Sequence, residues 1–258
     1  MPGTRSDDYP RLATAALRLA LEAGRTIMAF YRGGTTVEIK VDRSPVTEAD
    51  RAADRLIVAG LRAADPGIAV ISEESTSAGA VPADGRFWLV DPLDGTREFV
   101  ARTGEFTVNI ALIEDGRPVL GVLHAPVQDE TYVADGQGGA VRIVGDGSPQ
   151  LISARSVPGG GPAVIASRSH RDAETDAYIA GLRPARIESA GSALKFGLLA
   201  RGAADIYPRF GRTMEWDTAA GQAILVAAGG HVRDLNGREL SYGKAGFVNP
   251  AFVACGAD

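Results

Sequence analysis

The sequence predicts an α/β protein built in two halves, and three observations predict it. A helical pattern opens the chain. From Phe106 to Val144 strand signals follow one another closely enough for an antiparallel meander. Past a Gly-, Ser- and Pro-rich stretch, Gly145 to Gly161, strands and helices alternate. That stretch is the expected internal boundary. It sets an N-terminal α+β half over residues 1–150 and a C-terminal α/β half over 151–258.

In the N-terminal half, Leu12, Ala16, Leu19, Ala23, Ile27 and Phe30 recur at three and four residues. They share one face of a helix from Arg11 to Arg32, which Gly33 and Gly34 end. Val37 to Val41 alternates like a half-exposed strand. Thr47, with Asp50 three residues on, is close to a capping box for a second helix through Leu56, Ile57 and Leu61. On local sequence alone capping is the simpler role for both. The functional alternative has the loop before this helix face a ligand site, with Asp50 holding a water. Ile68 to Ile71 is a short buried strand that runs into the adjacent acids Glu73 and Glu74. Such a pair is usually a solvated loop, but it stands immediately before the next strand.

That next strand, Phe87 to Val90, is apolar and ends in Asp91-Pro92-Leu93-Asp94-Gly95-Thr96. Pro92 has no N–H and a fixed φ, so it is expected to stop the strand and stiffen the turn. Gly95 can adopt positive φ and let the backbone approach a ligand. Two fixed carboxylates beside backbone N–H groups can hold a divalent cation and an oxyanion together. The N–H groups of Gly95 and Thr96 open onto a plausible helical turn at Arg97 to Phe99, a setting that suits phosphate. The turn therefore reads as a metal-dependent phosphate site.

Thr107–Ile113 and Val119–His124 flank Asp115-Gly116, a hairpin signal. Thr131–Ala134 and Ala140–Val144 extend the meander. His124 has no spaced ligand partner and reads as structural. Beyond the boundary the expected order is strand Ala163–Ala166, helix Asp172–Leu182, strand Ala185–Ser189, helix Ser192–Ala200, strand Asp205–Tyr207 and helix Asp217–Ala228. Short strands finish the chain. Asp217 is placed to cap the last helix.

Composition narrows the function classes. The 258 residues suffice for a substantial core, and 45% hydrophobic with 23% charged residues is ordinary for a globular protein. A net charge of −5 argues against a general nucleic-acid or anionic-membrane surface. An acidic protein that binds phosphate needs metals or a few well-placed cations. The single cysteine, Cys255, excludes an internal disulfide framework and a cysteine-based zinc site, and it fits a reducing compartment. No signal-peptide pattern and no apolar run long enough to span a membrane is visible, so a cytoplasmic protein is expected.

A two-metal phosphatase needs carboxylates that converge from separate parts of the chain. Glu73, Asp91, Asp94 and Asp217 stand at strand C-termini or helix N-termini, where ligand sites of α/β sheets gather. Asp91–Thr96, Glu73-Glu74 and Trp216–Gly221 closely resemble the two signatures of the inositol monophosphatase superfamily, in its order and spacing. The likeness runs from Lys40 to the C-terminus. Within the superfamily, Ser44–Asp50, Gly95–Phe99, Gly104–Ala111, Ser167–His170, Gly191–Phe196 and Tyr207–Gly211 are similar to the CysQ group of 3'(2'),5'-bisphosphate nucleotidases.

The resemblance implies a layered αβαβα sandwich, with the site in a cleft between the halves. It implies a magnesium-dependent, lithium-sensitive phosphatase holding two to three ions. Glu73, Asp91 and the Leu93 carbonyl would hold one Mg²⁺. Asp91, Asp94 and Asp217 would hold a second, and Glu74 would support a weaker third. Asp50 and Thr96 would orient and deprotonate the attacking water. Gly95 and Thr96 would meet the scissile phosphate, with Asp217 also beside the substrate. His170, Ser192, Lys195 and Arg209 would contact the nucleotide and the phosphate that is not cleaved. Taken singly, Lys195 and Arg209 would be surface cations, and His170 an exposed loop residue.

The implied reaction converts adenosine 3',5'-bisphosphate to AMP and phosphate with water activated by the metals, clearing a by-product of sulfate activation. PAPS is a candidate second substrate. The rival activities are inositol monophosphatase or another sugar phosphatase on the same scaffold. The rival outside enzymology is a non-catalytic Mg²⁺ or nucleotide-binding regulator. A homodimer and a peripheral association with the inner membrane are both compatible with the family.

Overall fold

A computed structural model describes residues 5–34, 36–39, 45–75 and 81–257. The described residues form a seven-stranded sheet, a five-stranded sheet and a two-stranded ribbon. Helix α1 (Tyr9–Gly33) and helix α2 (Glu48–Ala64) are both strongly amphipathic. Leu12, Ala16, Leu19 and Ile27 of α1 and Ala53, Ile57 and Leu61 of α2 are completely or almost completely buried. Between the helices, β1 (Val37–Ile39) pairs antiparallel with β2 (Pro45–Thr47). The sequence pattern gives no strand at β2, because three residues are too few to show alternation. The expected strand residues Lys40 and Val41, and Ser44 of the matched motifs, lie outside the described residues.

The seven-stranded sheet runs β3 (Ala69–Ser72), β4 (Arg86–Asp94), β5 (Thr107–Glu114), β6 (Arg117–Ala125), β7 (Glu130–Ala134), β8 (Ala140–Val144) and β9 (Gln150–Ile152). Only β3 and β4 pair parallel. The predicted meander is present from β5 to β8, with β9 as an additional edge strand. Pro92 does not end β4. The register breaks between Asp91 and Asp94, and pairing resumes at Asp94 opposite Thr107. Pro92 is accommodated at this irregularity, where a missing donor costs no regular ladder bond.

Alternation along β4 sorts its side chains between two layers. Trp88 and Val90 pack with α1 and α2, together with Val108, Ile110, Leu112 and Val122. Phe87 and Leu89 face the other way, into a core shared with α5 (Leu194–Ala200), α6 (Ala219–Ala227) and the second sheet. That sheet has the order β11 (Arg186–Ala190), β10 (Ala163–Ser167), β12 (Ile206–Arg209), β14 (Phe252–Cys255) and β13 (His231–Asp234). Its far face carries Val164, Ala166 and Ile206 against Ile179 of α4 (Ala173–Gly181). The layers are therefore α1/α2, sheet, α5/α6, sheet and α4, the predicted αβαβα sandwich.

The middle helices sit close to the first sheet. A Cβ built on Gly121 of β6 would lie 2.5 Å from the Ala220 carbonyl oxygen and 2.9 Å from the Ala223 Cβ of α6. Only glycine allows this approach. It fixes the height of α6, and with it the position of Asp217 two residues before the helix.

Candidate active site

All the predicted residues except Glu74 and Asp50 line one cavity of about 570 Å³, within the usual range for small-molecule sites. Its walls include Glu73, Asp91, Leu93, Asp94, Gly95, Thr96, His170, Ser192, Lys195, Arg209 and Asp217. Asp50 stands behind this wall and reaches it through Thr96. The Thr96 hydroxyl donates to Asp50 Oδ1 at 3.0 Å and lies 3.2 Å from the Leu93 carbonyl oxygen. The other Asp50 oxygen accepts from the Thr47 N–H at 2.8 Å and the Thr47 hydroxyl at 2.5 Å. One Asp50 oxygen thus serves the capping box of α2, and the other faces Thr96 at the cavity wall. Burial raises its pKa, opposed by its Thr47 and Thr96 hydrogen bonds.

The irregular end of β4 places Asp91 inside and turns Asp94 to the second half of the chain. Asp91 Oδ1 accepts from the Leu93 N–H at 3.1 Å. Asp94 Oδ2 accepts from the Ala193 N–H at 2.5 Å and from Asn109 Nδ2 at 3.4 Å. Gly95 adopts φ +91° and leads into α3 (Thr96–Val100), a helix of a single turn. Asp217 is not the cap of α6 as expected. It closes a 3₁₀ turn, Glu215–Asp217, and its Oδ2 accepts from the Met214 N–H at 2.8 Å. Helix α6 starts two residues later, with Thr218 at its N-cap. Aspartate can bond to the chain before it or after it, and sequence spacing does not choose between them.

One unpredicted residue supports the Glu73-Glu74 turn. Asp54, one turn along α2 from Asp50, accepts from the Ser72 hydroxyl at 2.5 Å and the Ser75 hydroxyl at 3.2 Å. These serines bracket the two glutamates. Other unpredicted contacts cross the cleft. Arg168 grips Glu105 through Nε and Nη2 at 2.7 and 2.8 Å, and Glu105 also accepts from the Gly191 N–H. The Ser169 hydroxyl donates to Glu98 at 2.5 Å. Each joins residues more than sixty positions apart, with no local pattern to announce them.

The cavity has an acidic and a basic pole, which adjoin through Asp94 and Lys195. At one, burial and then Glu73, Asp94, Asp217 and Glu74 push the Asp91 carboxyl well above the ordinary range. Burial and then Asp94 and Glu73 do the same to Asp217. Asp94 is raised to about 6 by burial, with Lys195 acting against the rise. At the other pole His170 is exposed, as expected of its loop, and partial burial and then the guanidinium groups of Arg209 and Arg97 lower it to about 4. Lys195 and Arg209 are not surface cations but only 3% and 7% exposed. Burial lowers Lys195 to about 8, and Asp94 opposes the fall. Its ammonium lies 5.0 Å from the Tyr207 ring centre and donates to the carbonyls of Ala190 and Ser192. Arg209 donates to the carbonyls of His170 and Arg212, both at 3.0 Å.

Several acids and a backbone carbonyl on one cavity wall are the oxygen donor types that a hard divalent cation takes. The mutual repulsion around Asp91 fits that chemistry. Among the described residues, no three acidic, histidine or cysteine groups are placed together so as to hold a metal ion by themselves.

The fold and this site define the class. Residues 8–254 match the inositol monophosphatase family, and the chain belongs to it. Membership implies a divalent-metal-dependent mechanism. Within the family, the chain is 49% identical over 240 residues to the 3'(2'),5'-bisphosphate nucleotidase CysQ of Salmonella typhimurium, covering 91% of this chain and 96% of that protein. The crystal structure of CysQ from Bacteroides thetaiotaomicron superposes with a TM-score of 0.82 at 38% identity, over 95% of this chain and 97% of that one. The Thermotoga maritima inositol monophosphatase shares 30% identity at a TM-score of 0.76, over 93% and 89%. Among the described residues no helix is long and apolar enough to cross a membrane.

Proposed function

We propose that the chain is a Mg²⁺-dependent 3'(2'),5'-bisphosphate nucleotidase that releases phosphate from adenosine 3',5'-bisphosphate. The likeness to CysQ supports this reading, and the two-pole cavity carries it. A nucleoside bisphosphate brings two separate anions. One belongs with metals at the acidic pole, the other with cations at the basic pole. An inositol monophosphate has one phosphate and gives the basic pole no partner.

Glu73, Asp91 and the Leu93 carbonyl would hold one ion, and Asp91, Asp94 and Asp217 a second, with Asp91 shared. Glu74 would support a third. Bound there, such ions polarise a phosphate and make water more acidic. The chain supplies the rest. With its proton turned to Asp50 at 3.0 Å, the Thr96 hydroxyl presents its lone pairs to an incoming water. Asp50 is the proton acceptor, and Thr47 holds its second oxygen so that the first keeps facing Thr96. The Gly95 turn leaves the backbone open to the scissile phosphate. His170, Ser192, Lys195 and Arg209 line the nucleotide end. The same reading places the enzyme in clearance of a sulfate-assimilation by-product, with PAPS as a second substrate.

The experiment is phosphate release with Mg²⁺ from adenosine 3',5'-bisphosphate and inositol 1-phosphate side by side, with Asp94→Asn as control. A clear preference for the bisphosphate is expected, and loss of at least about a hundredfold in the variant. Preference for the inositol ester, or undiminished turnover by Asp94→Asn, overturns the reading.

A further inference from the structure

The basic pole contains more cations than the motifs identify. Lys195 and Arg209 are buried, and backbone carbonyls already take hydrogen bonds from both. Arg97 and Arg212 line the same cavity but are exposed. Among the described residues, their guanidinium groups make no hydrogen bond or ion pair. Each therefore offers all five N–H donors to an incoming anion.

Their placement is specific. Arg97 lies in α3, three residues after Asp94, on the N-terminal side of the cleft. Arg212 lies three residues after Arg209 and five before Asp217, on the C-terminal side. Arg209 donates to the Arg212 carbonyl, so the buried cation fixes the backbone from which the exposed one extends. Arg97 comes close enough to His170 to depress its protonation. Two unengaged guanidinium groups, carried by separate segments of the chain, thus line the cavity that holds the basic pole. Guanidinium forks bind phosphate oxygens in pairs, and two such groups in one cavity can share a phosphate.

We infer that Arg97 and Arg212 are specificity-determining residues that grip the phosphate of the substrate that is not cleaved, while Lys195 and Arg209 shape the pole behind it. This rests on the bisphosphate reading of the site. Both side chains are exposed, so their removal leaves the core untouched.

The test replaces each separately, Arg97→Gln and Arg212→Gln, and compares adenosine 3',5'-bisphosphate with adenosine 3'-monophosphate. The second substrate keeps the nucleoside and the scissile phosphate and lacks the other phosphate. Each variant should lose roughly ten- to a hundredfold in kcat/KM on the bisphosphate, mainly through KM, and the loss should exceed that on the monophosphate by about tenfold or more. Inhibition by adenosine 5'-monophosphate, which carries only the second phosphate, should weaken in parallel. Equal losses on both substrates, or no loss on the bisphosphate, overturn the assignment. A wild-type enzyme that prefers the bisphosphate, with variants that keep this preference, overturns the arginine roles alone. A wild-type enzyme that prefers inositol 1-phosphate overturns the underlying reading as well.

Discussion

Replacement of Gly121 by alanine should damage the active site from inside the core. The new Cβ would stand 2.5 Å from the Ala220 carbonyl oxygen, 3.1 Å from the Ala220 Cα and 2.9 Å from the Ala223 Cβ. Ordinary contacts begin at 3.4 Å, so α6 must retreat from β6 by about 0.9 Å at the carbonyl. None of the three atoms belongs to a flexible side chain that could swing away. Overpacking of this kind costs roughly 1–3 kcal/mol, which lowers the melting temperature by roughly 2–12 °C in a chain of this size. Asp217 moves with the helix, and a displacement near 1 Å at a reacting centre can cost about a hundredfold in rate. The assay pairs thermal unfolding with kcat at 25 °C, where the variant is still folded. Gly181→Ala, at the end of α4 with no atom within 4 Å of the new Cβ, is the control; it should leave kcat unchanged and raise stability by at most about 1 kcal/mol. A Gly121→Ala protein with lowered stability but wild-type kcat would refute the coupling between helix height and site. One unchanged in both would refute the close packing.

Two further outcomes are expected. His124 is buried, its Nδ1 lies 2.9 Å from the Thr131 hydroxyl, and burial lowers its pKa to about 4 from 6.5. The unfolded chain takes up a proton between those values while the folded chain does not, so stability falls as pH drops from 6.5 towards 4. The loss reaches about 3 kcal/mol by pH 4, and denaturant unfolding of wild type and His124→Gln should diverge in pH slope by that amount; identical slopes would contradict the burial effect. Asp54→Ala removes the acceptor for Ser72 and Ser75, costs roughly 1–3 kcal/mol, and loosens the turn that carries Glu73 and Glu74. Its half-saturating Mg²⁺ concentration should rise and its Mg²⁺-dependent thermal shift should shrink; an unaltered metal response would separate Asp54 from the site.

What the sequence made legible follows from the range of the interactions involved. Helix α1 shows in the spacing of Leu12, Ala16, Leu19 and Ile27, because one buried face imposes a period. The Thr47–Asp50 cap shows because both partners lie within one turn. The Asp91–Thr96 turn shows because its chemistry is local and its residue types are unusual together. Strands β2 and β9 are too short to carry a pattern. Pro92 pointed to a strand end, but the register shift between Asp91 and Asp94 absorbs it. Asp217 had two bonding directions available, and the 3₁₀ turn at Met214 took it. Asp54 with Ser72 and Ser75, Glu105 with Arg168, and Glu98 with Ser169 depend on contacts made only after the layers assemble. Arg97 was visible beside the motif but indistinguishable from any exposed cation until the cavity wall was known.

The divided carboxylate of Asp50 has a practical consequence for trapping substrate. An inactive chain is often made by deleting the residue that receives the proton, which is Asp50 in the proposed mechanism. Here that substitution also strips the start of α2 of the acceptor held by Thr47, a loss of roughly 0.5–2 kcal/mol. The trapped complex would then report a loosened helix along with the ligand. Thr96 carries no such second duty towards α2. Thr96→Val keeps the shape and leaves Asp50 bonded to Thr47, which makes it the better variant for capturing an intact nucleotide in the crystal.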